Sequence, residues 1–243
     1  MSIQIVDVLT NFRIVKYRFM LEAVEEIYLP VNKGSTLRGA LGNMLRKICC
    51  SMHSLSISDI KSALKDCYHC FLHETCPFAF LFDTAPPKNS PILSKFTDVP
   101  RPFVLEPPPE NKEVYSPGEK LEFGLILVGR AIEYLPYFIV SFKELGDVGI
   151  GRGRGKFELT EVREIPFGLQ KHKRNDAPLV YQIGDSKIYT HPEAQITGAQ
   201  IIAGYKGKCW VDSVTIRFVT TTRLTHRGHL VDIPEFSILV RSI

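Results

Sequence analysis

The stretch Gly146 to Leu159 reads GDVGIGRGRGKFEL, with glycine at every second position from Gly149 through Gly151 and Gly153 to Gly155. Ile150, Arg152 and Arg154 lie between them and Lys156 follows. Glycine frees the backbone for positive φ and lets a second backbone approach closely. Arginine adds a planar fork that matches phosphate. A loop of this composition can hold a phosphodiester chain, and it can equally be a hairpin turn with solvated arginines. Two nucleotide-binding readings fail on spacing. The dinucleotide fingerprint needs Gly-x-Gly-x-x-Gly between a strand and a helix, whereas here the third glycine is Gly153 and the order is helix, loop, strand. The phosphate loop of NTPases ends Gly-Lys-Ser/Thr, and Lys156 is followed by Phe157. No nucleotide cofactor is expected.

A second group with chemistry is the cysteines. Five of the six, Cys49, Cys50, Cys67, Cys70 and Cys76, fall within 28 residues (76 − 49 + 1), and Cys67-Tyr-His-Cys70 is a Cys-x-x-Cys. Four thiolates from this set could hold a tetrahedral structural zinc, with His69 and His73 as further donors. Such a site would be closed, so it would have no catalytic role. Reduced, partly buried thiols on a small helical insertion are the competing reading. Redox chemistry lacks support from the flanks, which are unlike a thioredoxin strand-to-helix turn.

Further basic groups qualify for anionic partners. Lys206 and Lys208 frame Gly207 beside Tyr205, and Arg223 and Arg227 flank His226 and His229. Lys171, Lys173 and Arg174 form a charge run of the kind that is usually a solvated face. Tyr205 and Phe157 could stack on bases. The net charge of +4 over 243 residues permits an anionic partner without demanding one. With 44% hydrophobic and 23% charged residues, the composition is that of a soluble globular protein. No apolar run approaches a membrane span, and Met1 to Thr10 lacks the pattern of a signal peptide. A cytoplasmic protein without disulfides is expected.

The elements that must position these groups follow from periodicity. Phe12 to Leu29 is β-branched and aromatic, one strand or a strand pair. Leu37, Ala40, Leu41, Met44, Leu45 and Ile48 recur at helical spacing after Ser35 or Thr36 as cap. Gly39 and Gly42 in that helix suggest close packing against a neighbour. Ala85 to Pro117 is proline-rich and irregular, with Pro102 to Leu105 able to pair as an edge strand. Lys120 to Val128 is a strand, Ala131 to Leu145 a helix that Pro136 can reset, and Lys156 to Val162 a strand. Strand, helix, strand, strand, helix, strand is the ferredoxin-like order. The fold class expected is therefore α+β, with a ferredoxin-like domain over residues 1–165 carrying a cysteine-bearing insertion at 51–117. A β-rich connection, 166–208, includes a hairpin of Leu179 to Ile183 with Lys187 to Thr190. Residues 209–243 hold a strand, Trp210 to Thr220, a polar loop and a helix start from Pro234. They are expected to begin a second ferredoxin-like domain.

Five segments together resemble one family. They are LRGALGNMLRKIC, the Cys-x-x-Cys with CPFAFLF, RPFVLEPPPE with SPGEKLEFGLILVGRA, ELGDVGIGRGRGKFEL, and TTRLTHRGHLVDIPEFSILVR. The sequence is similar to CRISPR-associated, repeat-processing endoribonucleases of the RAMP superfamily, in a branch with a cysteine-bearing insertion. That resemblance implies two tandem RRM-like domains with CRISPR repeat RNA along their cleft and other CRISPR-associated proteins as partners. The family continues past PEFSILVR, so an incomplete second domain is expected here. It also implies metal-independent attack of a 2′-hydroxyl on the adjacent phosphorus, giving a 2′,3′-cyclic phosphate and guide RNAs, with no catalytic cofactor. This chemistry uses a base, an acid and a cation at the phosphorane. The family places such groups around its first helix, which here points by location to His53, Tyr28 and Arg38. His226 and His229 form a rival acid–base pair, histidine titrating near neutrality. RNA contact is assigned to the glycine loop, Lys156, Lys206, Lys208, Arg223 and Arg227. Two alternatives stand: a non-catalytic RNA-binding RAMP subunit of a CRISPR complex, and a zinc-organised structural module.

Overall fold

The computed structural model describes residues 9, 12–50, 67, 70–84, 99–166, 177–191, 195–204, 213, 215–218, 224–226, 229–233 and 235–242. The chain divides into two compact units, residues 1–206 and 207–243.

In the first unit, β1 (Arg13–Ala23) alternates buried and half-exposed residues along most of its length and is followed by the short β2 (Ile27–Tyr28). The expected stretch is thus two strands, which belong to different sheets. Helix α1 (Gly34–Cys49) follows, burying Leu37, Leu41, Met44 and Leu45. Neither Ser35 nor Thr36 caps it, because the helix starts earlier and its cap is Lys33, whose side chain makes no capping bond. That lysine is fully buried, and its ammonium donates to the carbonyls of Val31 (3.4 Å) and Glu110 (2.9 Å). A buried charge must be satisfied in this way. The short helix α2 (Pro77–Phe82) was not legible as a helix among its cysteines and aromatics. It packs where α1 has Gly42, since a Cβ there would lie 2.9 Å from the Phe82 ring. Gly39 has nothing within 4 Å of the same position. The close packing expected of both glycines therefore holds for Gly42 alone.

The strands β3 (Phe103–Glu106), β4 (Val114–Tyr115) and β5 (Lys120–Val128) come next. A 3-10 turn, Gly129–Tyr134, leads into α3 (Leu135–Val148), with Pro136 in its first positions, where its missing N–H costs nothing. Then β6 (Phe157–Glu164) and β7 (Leu179–Gln182) complete the main elements. The sheet order is β3-β5-β1-β6-β7, every pair antiparallel. The first four strands in that order are the ferredoxin-like arrangement of a β-α-β-β-α-β chain, with β7 added at one edge. This is the α+β class expected, and β3 is the edge strand read from Pro102 to Leu105.

One face of the sheet carries the core. Val15, Tyr17, Phe19 and Leu21 from β1 and Leu121, Phe123, Leu125 and Leu127 from β5 join Leu41, Leu45, Phe138 and Phe142 in one buried cluster. Phe19, Phe123 and Phe142 form a closed triangle of rings, with centroids 4.8–5.4 Å apart. The alternate residues of β1 and β5 emerge on the other face, and none is aromatic. Ion pairs cross it: Lys16 with Glu106, and Arg18 with Glu161, which Arg163 also bonds at 2.7 Å. The Arg163 guanidinium, hydrogen-bonded to it, holds the Glu161 carboxyl below the usual range.

Two expectations downstream change. Lys187 to Thr190 forms no strand, and a bond from Tyr189 N–H to Val180 C=O (2.8 Å) joins it to β7. In its place β8 (Ile196–Thr197) pairs with the start of β1 and leads into α4 (Gly198–Gly204). In the second unit, Ser213 and residues 215–218 have no regular structure, so the strand expected from Trp210 is not seen among the described residues. The expected polar loop holds a hairpin of β9 (Thr225–His226) and β10 (His229–Leu230). The helix begun near Pro234 is α5 (Phe236–Ser242), which buries Ile238 and Leu239.

Candidate nucleic-acid interface

The glycine loop leaves the C-terminus of α3 and closes on itself before β6. Ile150 N–H donates to Gly155 C=O at 3.0 Å, and Arg154 N–H to Gly151 C=O at 3.3 Å. It also joins β2, through Arg152 N–H to Tyr28 C=O at 2.9 Å. Two glycines touch the backbone before them: a Cβ on Gly151 would strike Tyr28 C=O, and one on Gly155 would strike Glu26 C=O. Gly151 has φ +76° and Gly153 φ +83°, a region that suits glycine. Arg154 itself sits at φ +54°, the one described non-glycine residue with positive φ. The loop is therefore a hairpin turn joined to β2, with Arg152 and Arg154 on it.

Between this loop, α1 and the β2–β4 ladder runs a groove of about 830 Å³. Arg152 and Arg154 line it on the loop side. Thr36, Ala40, Asn43 and Lys47 line it from α1, at helical spacings of four, three and four residues. Tyr28 and Glu113 come from the ladder side, and Leu29, Pro30, Met44, Val148 and Ile150 supply apolar wall. Among the described residues neither Arg152 nor Arg154 forms an ion pair. Three cations thus face a groove whose remaining walls are largely neutral, a place for an anionic chain.

The structure sorts the candidates. Tyr28 lies on the groove, 45% exposed, with its hydroxyl donating to the Glu26 carboxylate. That bond and the carboxylate charge raise its pKa. Arg38 points away from the groove. Its guanidinium stands over the Phe103 ring at 5.9 Å, and burial together with nearby Arg101 lowers its pKa. Lys156 is drawn off to Glu25, with a 3.8 Å ion pair between half-exposed side chains and a 3.3 Å bond from its N–H. His53, Lys206, Lys208, Arg223 and Arg227 lie outside the described residues. In the second unit, the β9–β10 register sets His229 opposite His226. Sequence reading missed Asn43, Lys47 and Glu113, although the spacing of Thr36, Ala40, Asn43 and Lys47 was a usable signal.

The five described cysteines, Cys49, Cys50, Cys67, Cys70 and Cys76, are free thiols and half-buried. Burial, and then the charge of Cys76, push the Cys49 thiol up to about 11. Burial and Asp83 push Cys67 up to about 12. In the Cys-x-x-Cys motif, Cys70 N–H donates to Cys67 C=O at 2.9 Å. Among the described residues no three His, Cys, Asp or Glu side chains come together as a metal-ion site.

The fold and this groove define an α+β, ferredoxin-like domain with a cationic cleft beside its two main helices. Residues 12–193, well over half of the chain, match the family model AF_1859_N, an N-terminal domain, and the chain belongs to that family. No curated protein matches the sequence. Among solved structures, a chain of the Csm3-Csm4 subcomplex of the type III-A CRISPR-Cas interference complex is similar at 17% identity and a TM-score of 0.36. That likeness covers 65% of this chain and 78% of the other.

Proposed function

We propose that this chain is a RAMP protein of a CRISPR system that binds repeat RNA along the groove beside the glycine loop. The observation that carries the reading is that Arg152, Arg154 and Lys47 line one groove, whose loop wall is hydrogen-bonded to β2. The sequence resemblance supplies the RNA class and the other CRISPR-associated partners. Arg152→Ala with Arg154→Ala should weaken binding of single-stranded RNA about tenfold or more near ~0.15 M salt. The slope of log K against log salt should also fall by about 1.4, two phosphate contacts at ~0.7 each. Fluorescence anisotropy across a salt series checks both. Unchanged affinity and slope would remove the loop from the interface.

The finer reading is a metal-independent endoribonuclease giving cyclic-phosphate ends. It predicts a single cleavage of the cognate repeat RNA in EDTA, lost in His53→Ala. The non-catalytic subunit is the second reading, and one observation favours it: the catalytic candidate Arg38 is turned onto the Phe103 ring instead of lining the groove. Under that reading the same incubation leaves the RNA intact. A structural zinc on the cysteines stays a separate proposal, resting on the Cys-x-x-Cys spacing. Metal analysis of the purified protein decides it, with about one zinc per chain in its favour and none against it.

A further inference from the structure

We infer that the groove seats one unstacked RNA base, guanine above the others, with Glu113 and Asn43 reading its hydrogen-bonding edge. The inference rests on the RNA-binding reading and goes beyond it to a base preference. Its first support is volume and lining: about 830 Å³ lies within the range of small-molecule sites, which are mostly apolar with a few placed polar groups. A track for phosphates alone would gain nothing from the apolar wall of Leu29, Pro30, Met44, Val148 and Ile150. The faces of a base would bury against it, as in single-strand recognition where unstacked bases leave solvent.

The second support is the sign of one charge. Among the described residues, Glu113 is the one acidic residue lining a groove that also collects Lys47, Arg152 and Arg154. Beside phosphate it would repel, but beside a base it accepts N–H groups. Its strand is fixed there, since Leu29 N–H donates to Glu113 C=O at 2.8 Å. Guanine alone places two adjacent donors, N1–H and N2–H, which a carboxylate can accept together. The Asn43 amide, reaching from α1, offers both a donor and an acceptor for the remaining edge. Uracil, with a single N–H, is the poorest match.

The test uses oligouridylate 12-mers carrying one central guanosine, adenosine or cytidine, with affinity measured at several salt concentrations. The guanosine oligomer should bind roughly tenfold tighter than the all-uridine one, the worth of one good bidentate contact. Glu113→Gln and Asn43→Ala should each shrink that preference to within about twofold, and the salt slope should stay as it is because no cation is lost. Both side chains are exposed, so the fold should survive, and a thermal melt confirms it. Salt-sensitive binding with no base preference, or a guanosine preference that persists in both variants, overturns the inference and leaves the RNA reading standing. If no oligomer binds even at low salt, the RNA reading fails and the inference fails with it.

Discussion

Gly151→Ala should cost about 2–5 kcal/mol and, on the proposed RNA-binding reading, take that binding with it, although it removes no charge. Two terms add. An L-residue in the left-handed region costs roughly 1–2 kcal/mol, and Gly151 has φ +76°. A Cβ there also meets Tyr28 C=O and lies 3.1 Å from a Leu29 methyl, and overpacking of this kind costs about 1–3 kcal/mol. The struck atom is backbone that already accepts the Arg152 N–H, so relief means lifting the loop off β2. Once lifted, Arg152 and Arg154 no longer share a groove with Lys47. Gly153→Ala is the control: it has nearly the same φ, +83°, but nothing within 4 Å of its Cβ position. It should lose only the conformational ~1–2 kcal/mol and keep most of its affinity. Thermal melts with anisotropy titrations separate the two variants. Equal losses at both positions would mean that flexibility alone explains the glycines, and that the clamp onto β2 is not what builds the groove.

That contrast also shows how much was readable beforehand. The alternation of β1 and β5 and the helical spacing in α1 and α3 are local properties, and they delivered the ferredoxin-like order without any structure. The glycine loop was ambiguous because its two readings differ in what lies opposite Gly151 and Gly155. Those neighbours are Tyr28 and Glu26, more than 120 residues away. Arg38 illustrates the same limit. The apolar positions Leu37, Leu41 and Leu45 determine which side of α1 is buried, yet they leave two flanks. Docking of α3 and the loop selects the flank of Asn43 and Lys47, and the other flank puts Arg38 over Phe103. Short elements escaped for a different reason: two-residue ladders such as β8 and β9–β10 carry no periodicity to detect.

Phe142→Ala should destabilise the domain by about 3–5 kcal/mol, the usual cost of deleting a fully buried phenylalanine. At roughly 2–4 °C per kcal/mol for a chain of this size, Tm should fall by about 6–20 °C. The ring closes the triangle with Phe19 and Phe123, so its loss opens a cavity bounded by two strands and a helix. Those strands are the centre of the sheet, where neither β1 nor β5 can shift without breaking a long ladder on each side. Collapse around the cavity is therefore limited, which places the cost toward the upper end. The position also tests the coupling of core to groove. Phe142 lies near the C-terminal end of α3, one turn before Leu145, whose carbonyl accepts the Gly149 N–H that starts the loop. If α3 sets the loop, RNA affinity measured well below the new Tm should fall as well. A lowered Tm with undiminished affinity would show that the β2 clamp alone holds Arg152 and Arg154 in place.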